Sequence, residues 1–405
     1  MRISLATNFD DALPTRVRPF GVFELYGRLS ADMVGGGRAS FRLASVGRRT
    51  VARHVAACRR AGLAFNYLLN ASCLDNVEYT RAGQKRIRRL RIRRLLDWLS
   101  EIGVSSVTVA NPFLLRLIKT AYPHFEVRVS ASANDIRQVR YWQEIGADRI
   151  TLDSTQVNRE FELLRRIREG IRCRLELLAS RSCVQNCPLQ RYHPNRLSHA
   201  SQRGHRGFAI DWCQLWCSHM KLRDPVNYLR ADWIRPEDVV HYEALGYDEF
   251  KLTERNAPTD ILLLRAQAYH ERRYDGNLLD LVQPYEWPPA ASRAERLGLR
   301  WVLRHSVRLG AVRWRKLPLL YALARRCGLL GRSDGTPVYI DNRALDGFIR
   351  RFLTQGCRDV DCEACRYCHG WLPRAVRIDE AWRAGCLALY EADFQEIESG
   401  SLWIG

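Results

Sequence analysis

The chain has 405 residues, 46% of them hydrophobic and 27% charged, which is enough to bury a sizeable core and excludes a disordered or fibrous protein. No apolar stretch approaches the roughly 20 residues that cross a bilayer, and no apolar run follows the first arginine, so the expectation is a cytoplasmic protein without signal peptide or membrane span. The net charge of +20 invites an acidic-protein or nucleic-acid partner, yet only five of the 64 basic residues are lysine, an arginine bias that genome composition alone can produce.

Along the chain, short aliphatic or β-branched runs predict strands at residues 3–7, 22–26, 64–70, 106–110, 126–130, 149–153, 174–178 and 250–254. Helical patterns fall between several of them, over 81–102, 112–121, 136–145 and 157–169. The densest basic run, from Lys85 to Leu96, carries its apolar residues at helical spacing and reads as an amphipathic helix with a solvated face. Alternating βα units predict an α/β fold, a closed (β/α)8 TIM-like barrel over residues 1–285, with a doubly wound open sheet as the alternative. After the seventh strand comes a long cysteine-bearing insertion, about seventy residues between Ser180 and Phe250, and a loop of that length is normally functional. A proline-rich stretch at 283–289 predicts a linker that leads into a helical region over 286–335. A small C-terminal cysteine-rich module at 336–405 follows, with a strand at 338–340 and a capped helix over 341–354 that Gly356 would end.

In a reducing compartment, clustered cysteines point to metal rather than to disulfides, and eight of the 13 fall into two groups. The first is Cys183 and Cys187 with Cys213 and Cys217, two pairs that each enclose three residues. Four thiolates satisfy either a 4Fe–4S cluster or a tetrahedral zinc, and a three-residue gap puts both sulfurs of a pair on one face of a helical turn. The second group, Cys357, Cys362, Cys365 and Cys368, spans twelve residues and suits a second iron–sulfur cluster or a structural zinc. Cys58, Cys73, Cys173, Cys327 and Cys386 are isolated and read as small buried hydrophobes.

In a barrel the loops after the strands build the active face. The polar residues at the predicted strand ends are Asn8, Tyr26, Asn70, Asn111, Ser130, Asp153 and Glu254, with Arg255 next in line. Asp153, Glu254 and Asn70 are the catalytic candidates, although Asp153 is equally placed to cap a helix. Gly35-Gly36-Gly37-Arg38 can offer backbone N–H groups and a guanidinium to a carboxylate or phosphate. Neither an HExxH zinc motif nor a GxSxG elbow is present.

The glycine run 35–38, Phe65-Asn66-Tyr67-Leu68-Leu69-Asn70-Ala71, the two cysteine pairs with Pro188, and Tyr274-Asp275-Gly276-Asn277-Leu278-Leu279 resemble the collagenase-like peptidase family U32. The likeness covers residues 1 to about 285 and says less about the C-terminal module. The family name implies a peptidase. The resemblance to members that are oxygen-independent hydroxylases of ubiquinone precursors or RNA bases implies a 4Fe–4S cluster on Cys183, Cys187, Cys213 and Cys217. It also implies a small-molecule or RNA-base substrate and, for some members, a carboxylated oxygen donor such as prephenate. Arg38 and Arg255, with Gly36 and Gly37, are the residues expected to hold such a donor. A non-catalytic electron-transfer or scaffold protein is the third reading.

Overall fold

The computed structural model describes residues 1–37, 46–74, 81, 86–202, 211–255, 257–283, 312–326 and 336–403. Eight strands close into one parallel barrel: β1 Arg2–Ala6, β2 Val22–Gly27, β3 Ala64–Leu69, β4 Ser106–Val109, β5 Glu126–Ala133, β6 Arg149–Leu152, β7 Arg174–Leu178 and β8 Glu249–Leu252. Each strand pairs with its sequence neighbour and β8 closes on β1, which is the predicted (β/α)8 order and excludes the open sheet. Helices intervene where sequence chemistry starts them. Asn111 caps Pro112–Ala121, with proline at the first turn, and Asp135 caps Ile136–Glu144. The predicted helix 157–169 is two pieces, Ser154–Val157 and Phe161–Gly170.

The barrel interior is polar. The third residue of every strand (Ser4, Glu24, Asn66, Thr108, Arg128, Thr151, Glu176 and Lys251) is buried. Arg128 of β5 bonds Glu24 of β2, which also accepts from Ser4 at 2.5 Å. These two strands are not neighbours, so their side chains meet inside the barrel. Thr108 donates to Asn66 at 2.9 Å, Thr151 donates to Glu176 at 2.6 Å, and the Lys251 ammonium stands 3.6 Å from Glu176. Burial pushes the Glu176 carboxyl up, but Lys251, Arg128 and the Thr151 hydrogen bond outweigh it and hold the group below the ordinary range. Two acids and two bases thus balance in a space where an unpaired charge would be costly.

Between β7 and β8 lie helices Tyr192–Ala200, Trp212–Arg223, Val226–Leu229 and Val239–Glu243. Of the region expected to be helical over 286–335, the described part holds one helix, Leu317–Arg326; the rest of it, Cys327 and the expected linker after residue 283 lie outside the described residues. That helix packs against the long C-terminal helix Glu380–Glu398, where Trp382 donates to the Arg326 carbonyl at 3.0 Å. In the C-terminal module, β9 Val338–Ile340 pairs antiparallel with β10 Val376–Ile378. The helix expected over 341–354 is instead two 3-10 turns, Arg343–Leu345 and Phe348–Leu353. Gly347, at φ +86°, breaks the run, and the Leu345 carbonyl bonds the buried Arg235 of the barrel side at 2.6 Å. Gly356 does not end a helix either; a side chain there would collide with the Glu160 carboxylate. Module and barrel share one apolar core, with Phe348 at 5.5 Å from Trp233. Of the isolated cysteines, Cys58 and Cys386 are buried as expected, whereas Cys73 and Cys173 are only partly so.

Candidate functional site

Cys183 and Cys187 lie in the segment after β7, and Cys213 and Cys217 on a helix of the same insertion. The segment after β7 is held down by backbone bonds: Asp232 N donates to the Cys183 carbonyl at 2.8 Å, Gln185 N to Arg230 at 2.9 Å and Asn186 N to Thr155 at 2.9 Å. Asn186 takes the left-handed conformation (φ +54°), which reverses the chain between Cys183 and Cys187. Cys213 and Cys217 lie on the helix capped by Asp211, four residues apart on one face as the spacing predicts. Burial raises the Cys183 thiol to about 12 and Cys217 adds to the effect, against the pull of Arg181 and Lys221. Burial raises Cys213 to about 12 as well, with Cys187 and Cys217 contributing, and it raises Cys187 with a contribution from Cys217. Cys217 thus acts on each of the other three thiols, and Cys187 on Cys213.

The surroundings suit an anionic group built on thiolates. Arg181, Lys221 and Arg196 supply positive charge around the thiols. Gln185, midway between Cys183 and Cys187, and Gln214, next to Cys213, have buried amide atoms with no partner among the described residues. Lys221 donates to the Ser182 carbonyl and, at 3.1 Å, to its hydroxyl, while Asp232 receives Ser154 at 2.6 Å and Arg181 at 3.1 Å. Among the described residues no three His, Cys, Asp or Glu side chains are gathered tightly enough to hold a single metal ion.

Several strand-end candidates meet at the mouth, and some turn out to be structural. Asp153 caps the helix Ser154–Val157 through Thr155; burial raises its carboxyl against the pull of the Arg181 charge. Asn8 ties β1 to the Ala257 carbonyl at 3.1 Å, and Asn111 caps a helix. Tyr26 donates to the Leu252 carbonyl at 2.9 Å, under the Lys251 ammonium. Asn70 reaches both Ser130, at 3.2 Å, and the backbone N–H of Gly37, at 3.2 Å, so the glycine turn does lie over β3. Glu254 and Arg255 are buried, and Glu254 holds a left-handed φ of +91° that a non-glycine residue rarely adopts. Arg38 lies outside the described residues. In the region where it was expected stands a residue that sequence reading passed over. Arg28, directly after β2, bonds Asp32 at 3.1 Å and the Ser201 carbonyl at 3.2 Å and adds its charge to the field at Arg255. Its position one residue past a strand end was the available signal.

The second cysteine group lies against the barrel rather than apart from it. Glu160 accepts the backbone N–H of Cys357 at 2.6 Å and of Arg358 at 2.7 Å, and Arg230 pairs with Glu363 at 3.0 Å. Burial raises Cys357 to about 11, with a contribution from Cys368; Cys368 is raised by burial and by Cys362 and Cys365, while Arg159 and Arg230 oppose. These four thiols also share one field. The same segment, 229–232, carries the Arg159 guanidinium on its Leu229 and Ala231 carbonyls at 2.6 Å and the Cys183 carbonyl on Asp232.

No described helix is long and apolar enough to cross a membrane. The model of the family described as Peptidase family U32 matches residues 48–195, a span that contains β3 to β7 with Cys183 and Cys187. An uncharacterized protease of Methanocaldococcus jannaschii is 27% identical over 347 residues, covering 86% of this chain and 87% of its own. The solved U32 peptidase Mk0906 is 21% identical, covers 62% of this chain and 91% of its own, and superposes with a TM-score of 0.47. Family match and relative point the same way: over residues 48–195 the chain is similar to peptidase family U32.

Proposed function

We propose that this protein is an iron–sulfur enzyme that hydroxylates a small molecule or an RNA base without molecular oxygen. Cys183, Cys187, Cys213 and Cys217 would hold a 4Fe–4S cluster, and Cys357, Cys362, Cys365 and Cys368 a second cluster or a zinc. The observation that carries the reading is the grouping of four cysteines, Cys213 buried and the other three partly so, with Arg181, Lys221 and Arg196 supplying positive charge around them, on the loop face of the barrel. When bound, the cluster would supply redox chemistry at that face. The chain's own residues would do the rest. Arg181 and Lys221 offset the negative charge that develops when the thiols lose their protons. Asp153, a buried carboxyl with raised proton affinity beside Arg181, is the group suited to hold or pass a proton. Glu254 and Asn70, at the ends of β8 and β3, would position substrate.

The second reading, peptide hydrolysis, is favoured by the family description and by the relative called a protease. The hydroxyl–imidazole pairs among the described residues lend it little. Thr7–His54 is sealed from solvent, and Ser100–His124 lies on the exposed surface, with no carboxylate bonded behind either ring among the described residues. The discriminating experiment compares metabolites and RNA nucleosides of anaerobic cells with and without the gene. The hydroxylase reading expects one product lacking a single oxygen, restored by the intact gene and not by Cys183→Ala. Unchanged profiles together with proteolysis by the purified protein favour the peptidase.

A further inference from the structure

We propose that the barrel mouth holds a binding site for a small oxyanion, a carboxylate or phosphate group clasped between Arg28 and Arg255. Arg28 is 1% exposed and Arg255 8% exposed, yet Nε and Nη1 of Arg28 and Nη1 of Arg255 have no hydrogen-bond partner among the described residues. Three buried guanidinium N–H positions without acceptors are costly in a folded protein, and an oxyanion satisfies such positions with the right geometry. Asp32, which pairs with Arg28 and adds to the field at Arg255, is already engaged. Its Oδ1 accepts the N–H groups of Val34 at 2.9 Å and Gly35 at 2.7 Å, and its Oδ2 takes the Tyr67 hydroxyl at 2.8 Å and Arg28 Nη2 at 3.1 Å.

The loop above is shaped to leave Arg28 free. A Cβ on Gly36 would stand 2.7 Å from Asn70 Oδ1 and 3.0 Å from Arg28 Nη1, so the missing side chain keeps open the space next to the unpaired nitrogen. Burial and, next, the neighbouring Arg28 charge lower Arg255 to about 10, the mark of two cations held together. The insertion reaches the same place, since Ser201 receives Arg28 on its carbonyl and exchanges hydrogen bonds with Gly36 through its hydroxyl. A bound anion would thereby tie the cysteine-bearing insertion to the barrel. The inference rests on the proposed active face and not on any cluster.

The test uses calorimetry on full-length protein with inorganic phosphate and with malonate as probes, at ionic strength matched with chloride. It is run on the intact chain, on Cys183→Ala, on Arg255→Met and on Gly36→Ala. The site predicts saturable binding of at least one probe, retained in Cys183→Ala, and affinity weakened at least ten-fold in Arg255→Met and Gly36→Ala with unchanged circular dichroism. Preference for phosphate assigns a phosphorylated ligand, and preference for malonate a carboxylated one. No binding beyond chloride, or wild-type affinity in both Arg255→Met and Gly36→Ala, overturns the proposal. Because Cys183→Ala is measured in parallel, failure of the cluster reading and failure of the anion site are read separately.

Discussion

Replacing Arg235 by methionine should loosen the C-terminal module from the barrel. The guanidinium is buried and donates to Asn342 Oδ1 at 2.9 Å, to the Leu345 carbonyl at 2.6 Å and to Asp346 Oδ1 at 2.6 Å. Methionine keeps the apolar stem and removes all three bonds. Charge-assisted bonds contribute about 1.5–3 kcal/mol each and are not additive. Asp346 is half exposed and should regain water, so its share is discounted, whereas Asn342 and the Leu345 carbonyl are left buried. Losing one member of such a buried set costs about 3–5 kcal/mol, and we expect about 3–4 kcal/mol here. The assay is urea unfolding followed by limited proteolysis, reading cleavage after the basic residues Arg343, Arg350 and Arg351. The variant should expose these bonds at a midpoint where the barrel remains protected. A shift below about 1 kcal/mol, or simultaneous loss of barrel and module in both proteins, would refute the reasoning that Arg235 is the clamp.

Three further outcomes follow from buried charges and contacts. Lys251→Met should destabilise the fold by about 3–5 kcal/mol because Glu176 is left without its nearest cation, and Lys251→Met with Glu176→Gln should recover much of that loss in denaturant midpoints. Burial lowers His54 from 6.5 to about 4, so the neutral ring is the one the fold favours; stability is full above pH 6.5 and declines as pH falls toward 4, by up to about 3 kcal/mol. His54→Leu should lack that decline, and the difference between the two proteins isolates it from Asp238, which burial moves the other way, to about 7. Gly356→Ala should destabilise the second cysteine group by forcing Glu160 away from the Cys357 and Arg358 N–H groups, seen as faster alkylation of Cys357.

The barrel was legible because its strands are short runs of the right length separated by helical periodicity, and each predicted strand falls within one residue or a few of its observed place. What the runs concealed was their alternation. Glu24, Arg128, Glu176 and Lys251 sit at the third strand position, where a period of two alone points to the lumen, but reading the strands as aliphatic on both faces hides it. The cysteine pairs carried their own spacing and were placed without the fold. Arg28 could not be found that way, because its role depends on Ser201 and on Arg255, far off in sequence. The helix expected over 341–354 failed for the same reason: local pattern favoured a helix, and Arg235 took the carbonyl that a helix would use. Capping preference named Asp153 correctly as a cap, and its electrostatic setting beside Arg181 emerged only from the folded chain.

A cluster on the first cysteine group is read out by iron and acid-labile sulfide on protein reconstituted anaerobically, with the EPR spectrum of the reduced sample. About four irons and four sulfides are expected at this group, lost when Cys183, Cys187, Cys213 and Cys217 are replaced by alanine while the second group keeps its own metal. Zinc at the first group after reconstitution, or iron that survives the four replacements undiminished, would contradict it.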